Sequence, residues 1–567
     1  MNNTLSKIRI NQTGYASSLP VQVAVLAAGP LTLSDPTGKV IKTITSEPLT
    51  FDEASGDEVR LVDLGILAEG EYTLTCAGSE GAATTPGETT TSATAPGETT
   101  TANNAPGDIS RTIRVTADPW QEVTNALIKG LYFQRCGCEL EAKYAGKFVH
   151  PACHTAPALG WEDRSVKKTV TGGWHDAGDF GKYVGPGAVT VAHMLYAHIL
   201  FAKGCSDELN IPESGNGVPD ILNEARYELE WVLKMQREDG AFYHKLTKDH
   251  FADFIMPEDD HDQEYLMPVS HCATAAACAC LALASRVYKE YDEDFASRML
   301  DASLAASGWL DANPGFIPFV NPDGVRTGEY GDESCDDELF WAACELYAST
   351  GDAKYRVQAE KLFPDCSLTD YGWEDVSGLG AICALFVLKE KAGDILYTEL
   401  KDVYLQKCKA ISEISDASGY GTALPADGYV WGSILPIMAN SMSMILYGLL
   451  TDDESLLTKA LIQWDYALGL NALDICFVTG CGERSVMNPH HRPSGADGIE
   501  EPVPGLISGG PNNVHNYPFI KEKLAGVPAA KHFVDELPSA DTNEIAIYWN
   551  SPAIFVGAYF SSLCKKN

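Results

Sequence analysis

Between residue 6 and about residue 117, apolar positions come in short runs: Val21–Leu26, Val59–Leu64, Tyr72–Cys76 and Thr112–Thr116, separated by Gly, Pro and Asp. β-branched and aromatic side chains suit a pleated, half-buried surface, and the intervening residues suit turns. The spacing predicts a small β-sandwich over residues 6–117. The stretch Gly78–Asp108 departs from it, repeating Pro-Gly-Glu-Thr-Thr-Thr at Pro86–Thr91 and Pro96–Thr101 with no apolar periodicity. Such a segment cannot bury enough surface to offset its ordering entropy, so a disordered insertion at about 78–108 is expected.

From Trp120 onward the period becomes helical. Pro219–Arg237 and Asp336–Ser349 read as amphipathic helices, and they alternate with stretches lacking Asp, Glu, Lys and Arg: Val184–Ala202, Pro268–Ser285 and Gly428–Leu450. By length each uncharged stretch could cross a membrane. Each also contains Pro, His or Asn, and helices apolar on every side occur in the heart of large helical barrels. About a dozen helices, alternately buried and half-exposed, predict two concentric layers over residues 118–567. Sites on such barrels sit on long loops at one end of the inner ring. Here these are Trp161–Gly185, Asn313–Glu333 and Thr479–Asp541.

Charge narrows the partners. The chain of 567 residues has 41 Lys and Arg against 78 Asp and Glu, a net charge of −37. This balance repels nucleic acid and anionic membrane surfaces and is compatible with neutral sugars. Met1–Tyr15 is polar, with Lys7 and Arg9 and no apolar core of a signal peptide, so a cytoplasmic protein is expected. A secreted chain trimmed of its export signal would read the same. The 16 cysteines are then free thiols, buried side chains or metal ligands rather than a disulfide framework.

Three motifs carry candidate chemistry. In Gly172-Gly173-Trp174-His175-Asp176-Ala177-Gly178-Asp179, two carboxylates three apart open an apolar helix and can point into one space. An N-cap turn or a calcium loop would look alike. Asp541-Thr542-Asn543-Glu544 opens the last apolar stretch, where a Glu can equally be a first-turn dipole partner. Asn488-Pro489-His490-His491-Arg492 is a basic knot in an acidic chain, either a salt-bridge hub or a set of donors for sugar hydroxyls.

Together with Ser214–Asp220, Glu224 and Phe254–Glu258, these motifs resemble glycoside hydrolase family nine, the cellulases, over nearly the whole chain. The resemblance implies an N-terminal immunoglobulin-like β-sandwich followed by an (α/α)6 barrel. It implies Asp179 as general base, Asp176 as its partner on the attacking water, and Glu544 as general acid. His490, His491 and Arg492 would contact the sugar. Inverting glycosidases need an acid and a base on opposite sides of the bond, roughly 6.5–9.5 Å apart. The acid must stay protonated near neutral pH, which an apolar wall such as Tyr548 or Trp549 would favour. Trp161, Trp174, Trp341, Trp373 and Trp431 are candidate sugar platforms, Trp341 and Trp431 being taken as substrate-binding.

The resemblance also implies metals. Cys136, Cys153, His154 and His175 match structural zinc ligands, with Cys138 two residues past the matching position. Glu333, Asp336 and Asp337 match a calcium site of some relatives. Two positions depart from the family pattern. Phe533 and Asp535 fit the approach to the acid, but Ala540 replaces an aromatic, and Ile434 follows Trp431-Gly432-Ser433 where Asn is common. The expected activity is inverting cleavage of β-1,4-glucosidic bonds, chiefly in short cello-oligosaccharides cut from an end. Ala540 leaves exo-β-glucosaminidase action on chitosan oligosaccharides open, and a trimmed signal leaves a secreted endoglucanase open. A sugar phosphorylase and a non-catalytic sugar-binding protein are disfavoured, because neither requires all of Asp176, Asp179 and Glu544.

Overall fold

Alternation in the N-terminal runs produces two sheets. The computed structural model describes residues 5–45, 47–77, 109–515 and 517–565; the predicted insertion at 78–108 lies outside the described residues. One sheet has the order β1 (Ile8–Arg9), β3 (Pro20–Val25), β7 (Asp57–Ile66), β6 (Thr50–Asp52). The other runs β2 (Tyr15–Ala16), β9 (Ile109–Thr116), β8 (Gly70–Cys76), β4 (Leu31–Ser34), β5 (Val40–Ile44). Val21, Val23 and Val25 meet Leu31, Leu33, Leu74 and Val115 in the sandwich core. β3 is buried on both faces because Ala24, with Val59 of β7, joins the larger helical core instead.

Polar groups complete that junction. Asn11 donates from Nδ2 to Asp465 Oδ1 at 2.6 Å, and Arg111 pairs with Asp474 at 3.2 Å. Asp465 Oδ2 has no hydrogen-bond partner, and burial pushes this carboxyl up to about 8. An acid whose folded pKa is raised holds its proton while the unfolded chain ionises. Its contribution is therefore lost as pH rises from about 4 to about 8. Asp465→Asn should preserve the acceptor for Asn11 and flatten that loss. The check is urea denaturation at pH 5 and pH 8: the drop in stability should be smaller in the variant than in the parent.

Helical periodicity after Trp120 produces twelve main helices among the described residues: α1 (Gln121–Phe133), α2 (Val184–Phe201), α3 (Asp220–Lys234), α4 (His271–Tyr288), α5 (Glu293–Ala312), α6 (Asp336–Thr350), α7 (Ala353–Leu362), α8 (Ser377–Ile382), α9 (Leu400–Ala417), α10 (Ile434–Thr451), α11 (Leu457–Ala467) and α12 (Ile547–Cys564). The even-numbered helices form the inner ring, in which α12 packs on α2, α2 on α4, α4 on α6, α6 on α8, and α10 on α12. The odd-numbered helices wrap it, making an (α/α)6 barrel.

Composition explains the layering. α4 is mostly Ala and Cys, small enough for close approach on all sides, and the Ser270 side chain caps it by accepting from the Ala273 N–H. Among the described residues two helical stretches, Val184–Gly204 and Ile434–Thr451, are long and apolar enough to cross a membrane. In the barrel 78% and 61% of their apolar windows are covered by protein. Outer helix α3 is amphipathic, burying Leu222, Leu229 and Trp231 against the ring.

Candidate active site

The 172–183 loop leads into α2, and its glycines let it run close to its neighbours. Gly173 has φ +75°, and a Cβ there would lie 2.7 Å from the Trp231 ring. A Cβ on Gly178 would lie 1.9 Å from the His490 carbonyl oxygen, so only glycine fits between the two aspartates. Trp174 donates its backbone N–H to Glu228 and its indole N–H to Glu224, at 2.7 and 2.8 Å. These bonds fix the loop one residue before His175.

Backbone pairing then joins the three motifs. Ala177 bridges Ala546, the Ile547 N–H donates to the Asp176 carbonyl at 2.8 Å, and His490 bridges Glu544. Asp176, Asp179 and Glu544 thereby reach the wall of one open cavity of about 630 Å³. Its other walls include Tyr183, Tyr330, Trp373, Trp431, Tyr548 and Trp549. Polar groups on an aromatic floor are what a sugar ring needs, hydroxyls at its edge and C–H faces above and below.

The carboxyls differ in environment. Asp176 is 1% exposed; its Oδ2 accepts from Tyr330 Oη at 2.5 Å, while Oδ1 has no partner. Burial raises it well above the carboxylate range, the Tyr330 hydroxyl acts to lower it, and the Asp179 charge adds to the rise. Asp179 Oδ2 accepts from the Gly181 N–H at 3.0 Å. Glu544 is raised well above its ordinary value, first by burial and then by the Asp179 charge, with Arg492 acting in the opposite direction. One cavity thus holds three carboxyls, two of them raised by burial, and glycoside hydrolysis by inversion requires an acid to protonate the leaving group and a base to activate water.

Tyr330 belongs to no motif that the sequence singles out. It has φ +48°, a conformation a tyrosine rarely adopts, and it packs between Tyr183 and Trp373. It lies in the loop before α6, and its only sequence signal is its place in the long Asn313–Glu333 stretch.

The basic knot turns inward. Arg492 donates from Nη1 to the Gly178 carbonyl at 2.9 Å and from Nε to the Ala252 carbonyl at 2.8 Å. His491 is 1% exposed between Gln134 and Ser494, and burial lowers it to about 3. His490 donates from Nδ1 to the Leu537 carbonyl at 2.7 Å. None of the three lines the cavity, and Arg492 braces the Asp179 loop through the Gly178 carbonyl. Asp535 braces the same knot by accepting from the Met487 and Asn488 N–H groups.

The tryptophans divide in the same way. Trp373 and Trp431 line the cavity, and Trp431 is 39% exposed. Trp341, expected to bind substrate, is instead fully buried, its indole N–H bonded to Glu345 at 3.0 Å. Trp174 is core, and Trp161 packs on Tyr265 outside the cavity wall. Ala540 and Ile434 are also buried and stand outside that wall.

Cys136, Cys153, His154 and His175 place one donor atom each within 4.8 Å of one another. Cys138 stays outside this group. Two thiols and two imidazoles are a donor set for a divalent metal in a closed site, one residue from Asp176. His154 Nε2 faces Asp260 at 3.3 Å, an outer carboxylate of the type that orients ligating histidines. The expected calcium set does not converge. Glu333 and Asp336 are exposed, Asp337 accepts from the Val376 N–H at 2.8 Å, and the three form no shared group among the described residues. Glu333 and Asp336 are open to solvent, while burial raises the Asp337 carboxyl to about 6.

Comparison with known proteins agrees with this architecture. Residues 120–557 match the family described as Glycosyl hydrolase family 9, and residues 3–81 match the Cellulase N-terminal ig-like domain. The chain belongs to glycosyl hydrolase family 9 and is a glycosidase. It is 34% identical to the Cellodextrinase of Butyrivibrio fibrisolvens, covering 97% of this chain and 99% of that one. It is 32% identical to the Xyloglucan-specific endo-beta-1,4-glucanase of Bacteroides ovatus, covering 98% and 94%. Among solved structures, AaCel9A in complex with cellobiose-like isofagomine superposes with a TM-score of 0.87 at 33% identity, covering 98% of this chain and 100% of that one. A Zn-binding triple mutant of the J30 endoglucanase superposes at 0.86 and 28% identity, covering 96% and 99%.

Proposed function

We propose that this glycosidase cleaves β-1,4-glucosidic bonds of short cello-oligosaccharides with inversion, Glu544 acting as acid and Asp179 as base. The observation that carries the reading is that Glu544 shares one cavity with Asp176 and Asp179, its carboxyl raised above the ordinary glutamate range first by burial and then by the Asp179 charge. Glu544 gives its proton to the leaving oxygen. Asp179 takes one from water, and Asp176, held by Tyr330, orients that water from the other side. Trp373 and Trp431 stack on sugar faces. The preference for short chains is supported by the likeness to the cellodextrinase along almost the whole of both proteins.

Two measurements test it. Early products followed by NMR should carry the α-anomer first; a β-anomer first defeats the inverting assignment. With a soluble cellulose derivative, reducing ends should rise with little early loss of viscosity, while a steep drop would show internal cutting.

The four-donor group is the second part of the proposal. Cys136, Cys153, His154 and His175 would hold zinc, which would clamp the loop before Asp176 as a closed structural site. Elemental analysis should detect zinc, and Cys153→Ser should lower thermal stability more than turnover. A protein prepared without chelators that contains no metal would count against it.

A further inference from the structure

Behind the cavity wall lies a buried lysine that the proposed chemistry does not use. Lys245 opens the short strand Lys245–Thr247 and is 0% exposed. It donates from Nζ to Asn321 Oδ1 at 2.6 Å, to Thr327 Oγ1 at 3.1 Å and to the Gly328 carbonyl at 2.5 Å. An ammonium has three N–H donors, and here three neutral oxygens take them up. Burial lowers Lys245 to about 7, with the Asp179 and Glu329 charges acting in the opposite direction. An apolar side chain would fill the same space without that desolvation cost, so what the lysine adds is its hydrogen bonds.

Those bonds join two loops of the site. All three acceptors belong to the stretch that leads to Tyr330, which follows Gly328 by two residues. Asn321 closes the same stretch: its Nδ2 donates to the Thr327 carbonyl at 2.7 Å and its backbone N–H to Glu329 Oε2 at 2.8 Å. On the other side, Lys245 pairs with Tyr183 in an antiparallel ladder, on the strand that leaves the Asp176–Asp179 loop. Tyr183 also packs on Tyr330, with ring centroids 4.6 Å apart. Tyr330 has φ +48°, a conformation that persists only where the surroundings hold it.

We propose that Lys245 is a positioning residue for the hydrolysis: its ammonium clamps the 321–328 stretch onto the strand beside Tyr183, so that the Tyr330 hydroxyl stays on Asp176. The chain of contacts runs from Lys245 through Gly328 to Tyr330, and from Tyr330 Oη to Asp176 Oδ2 at 2.5 Å. Lys245 does not line the cavity and touches no reacting group. Its effect on rate rests on the reading of Asp176 as the residue that orients the attacking water. Without the clamp, Tyr330 relaxes from its strained conformation, and Asp176 loses the one side-chain donor that fixes it among the described residues.

Lys245→Met keeps the apolar stem and removes the three donors. On cello-oligosaccharides its kcat should fall by about 10²-fold, the cost of misplacing a reacting group by about 1 Å, while KM stays near the parent's. Tyr330→Phe breaks the same link to Asp176, so the double variant should be little slower than the slower single one. A crystal structure of Lys245→Met should show Tyr330 Oη beyond hydrogen-bond distance of Asp176. Should that variant fail to fold, Asn321→Ala removes one acceptor from a half-buried loop position. It should lower kcat less, with the same non-additivity toward Tyr330→Phe. A folded Lys245→Met protein with the parent's kcat overturns the proposal, as do losses that multiply with those of Tyr330→Phe. So does a Tyr330–Asp176 bond kept in the variant's crystal structure. If the parent hydrolyses no cello-oligosaccharide, the reading of the function fails, and the crystal structure alone decides whether Lys245 positions Tyr330.

Discussion

Glu544→Gln will leave a folded protein that binds cello-oligosaccharides and turns them over at least about 10²–10⁴-fold more slowly. The amide keeps the shape of the carboxyl and loses its proton. The loss should fall on kcat, because Glu544 acts on the leaving oxygen as the bond breaks rather than on the bound ground state. A substrate with an activated aryl leaving group, which departs without protonation, should recover most of the lost rate. The alkaline limb of the pH profile should also disappear with that substrate. In the parent the limb reports loss of the Glu544 proton, and burial with the Asp179 charge places it well above the ordinary glutamate range. Equal losses on activated and natural substrates would show that Glu544 is not the acid.

Arg135→Met will destabilise the protein by about 3–5 kcal/mol, because it strands a buried carboxylate. Arg135 is 2% exposed and forks onto two carboxylates. It donates from Nε and Nη2 to Glu224 at 2.8–3.2 Å, and from Nη1 and Nη2 to Glu213 at 3.0 Å. Its guanidinium also lies 4.4 Å from the Tyr227 ring centroid. Removing it leaves Glu224, which is 0% exposed, with the Trp174 indole as its remaining hydrogen-bond donor among the described residues. The penalty is that of an uncompensated buried charge, not the net worth of the pair. Arg135→Met combined with Glu224→Met should therefore cost less than Arg135→Met alone. Urea midpoints at constant slope measure both. A double variant as unstable as the two single losses added together would contradict a stranded charge as the cause. Because Trp174 precedes His175 and Asp176, the single variant should also lose turnover.

Local pattern carried the architecture. Period-two runs before Thr116 and period-3.6 runs after Trp120 mark the sandwich and the barrel, since burial of alternating or helical faces is decided by neighbours a few residues away. The three motifs were legible because their chemistry is compressed into a few adjacent residues each. Asp176, Asp179 and Glu544 reach one cavity, as the family resemblance implied. The four metal-type donors were legible only through resemblance. Cys136 and Cys153 are too far apart in the chain for spacing alone to join them, and the structure brings them together with His154 and His175.

What only the tertiary structure decided is which way side chains face. A tryptophan in an inner helix looks the same whether it points to the ring's core or to its mouth. Trp341 went to Glu345 in the interior, and Trp431, on a loop, went to the cavity. The family resemblance implies a sugar-contacting basic knot, and only the tertiary structure shows that Arg492 also supplies donors to the buried carbonyls of Gly178 and Ala252. Tyr330 has no signal beyond its place in a long loop, and ring closure is what brings that loop, before α6, against Asp176. The amino-acid sequence by itself determined the two domains and the carboxyls that line the cavity. The residues that hold those carboxyls in place come from contacts across 50 to 357 positions, and such contacts are set by packing of the whole barrel.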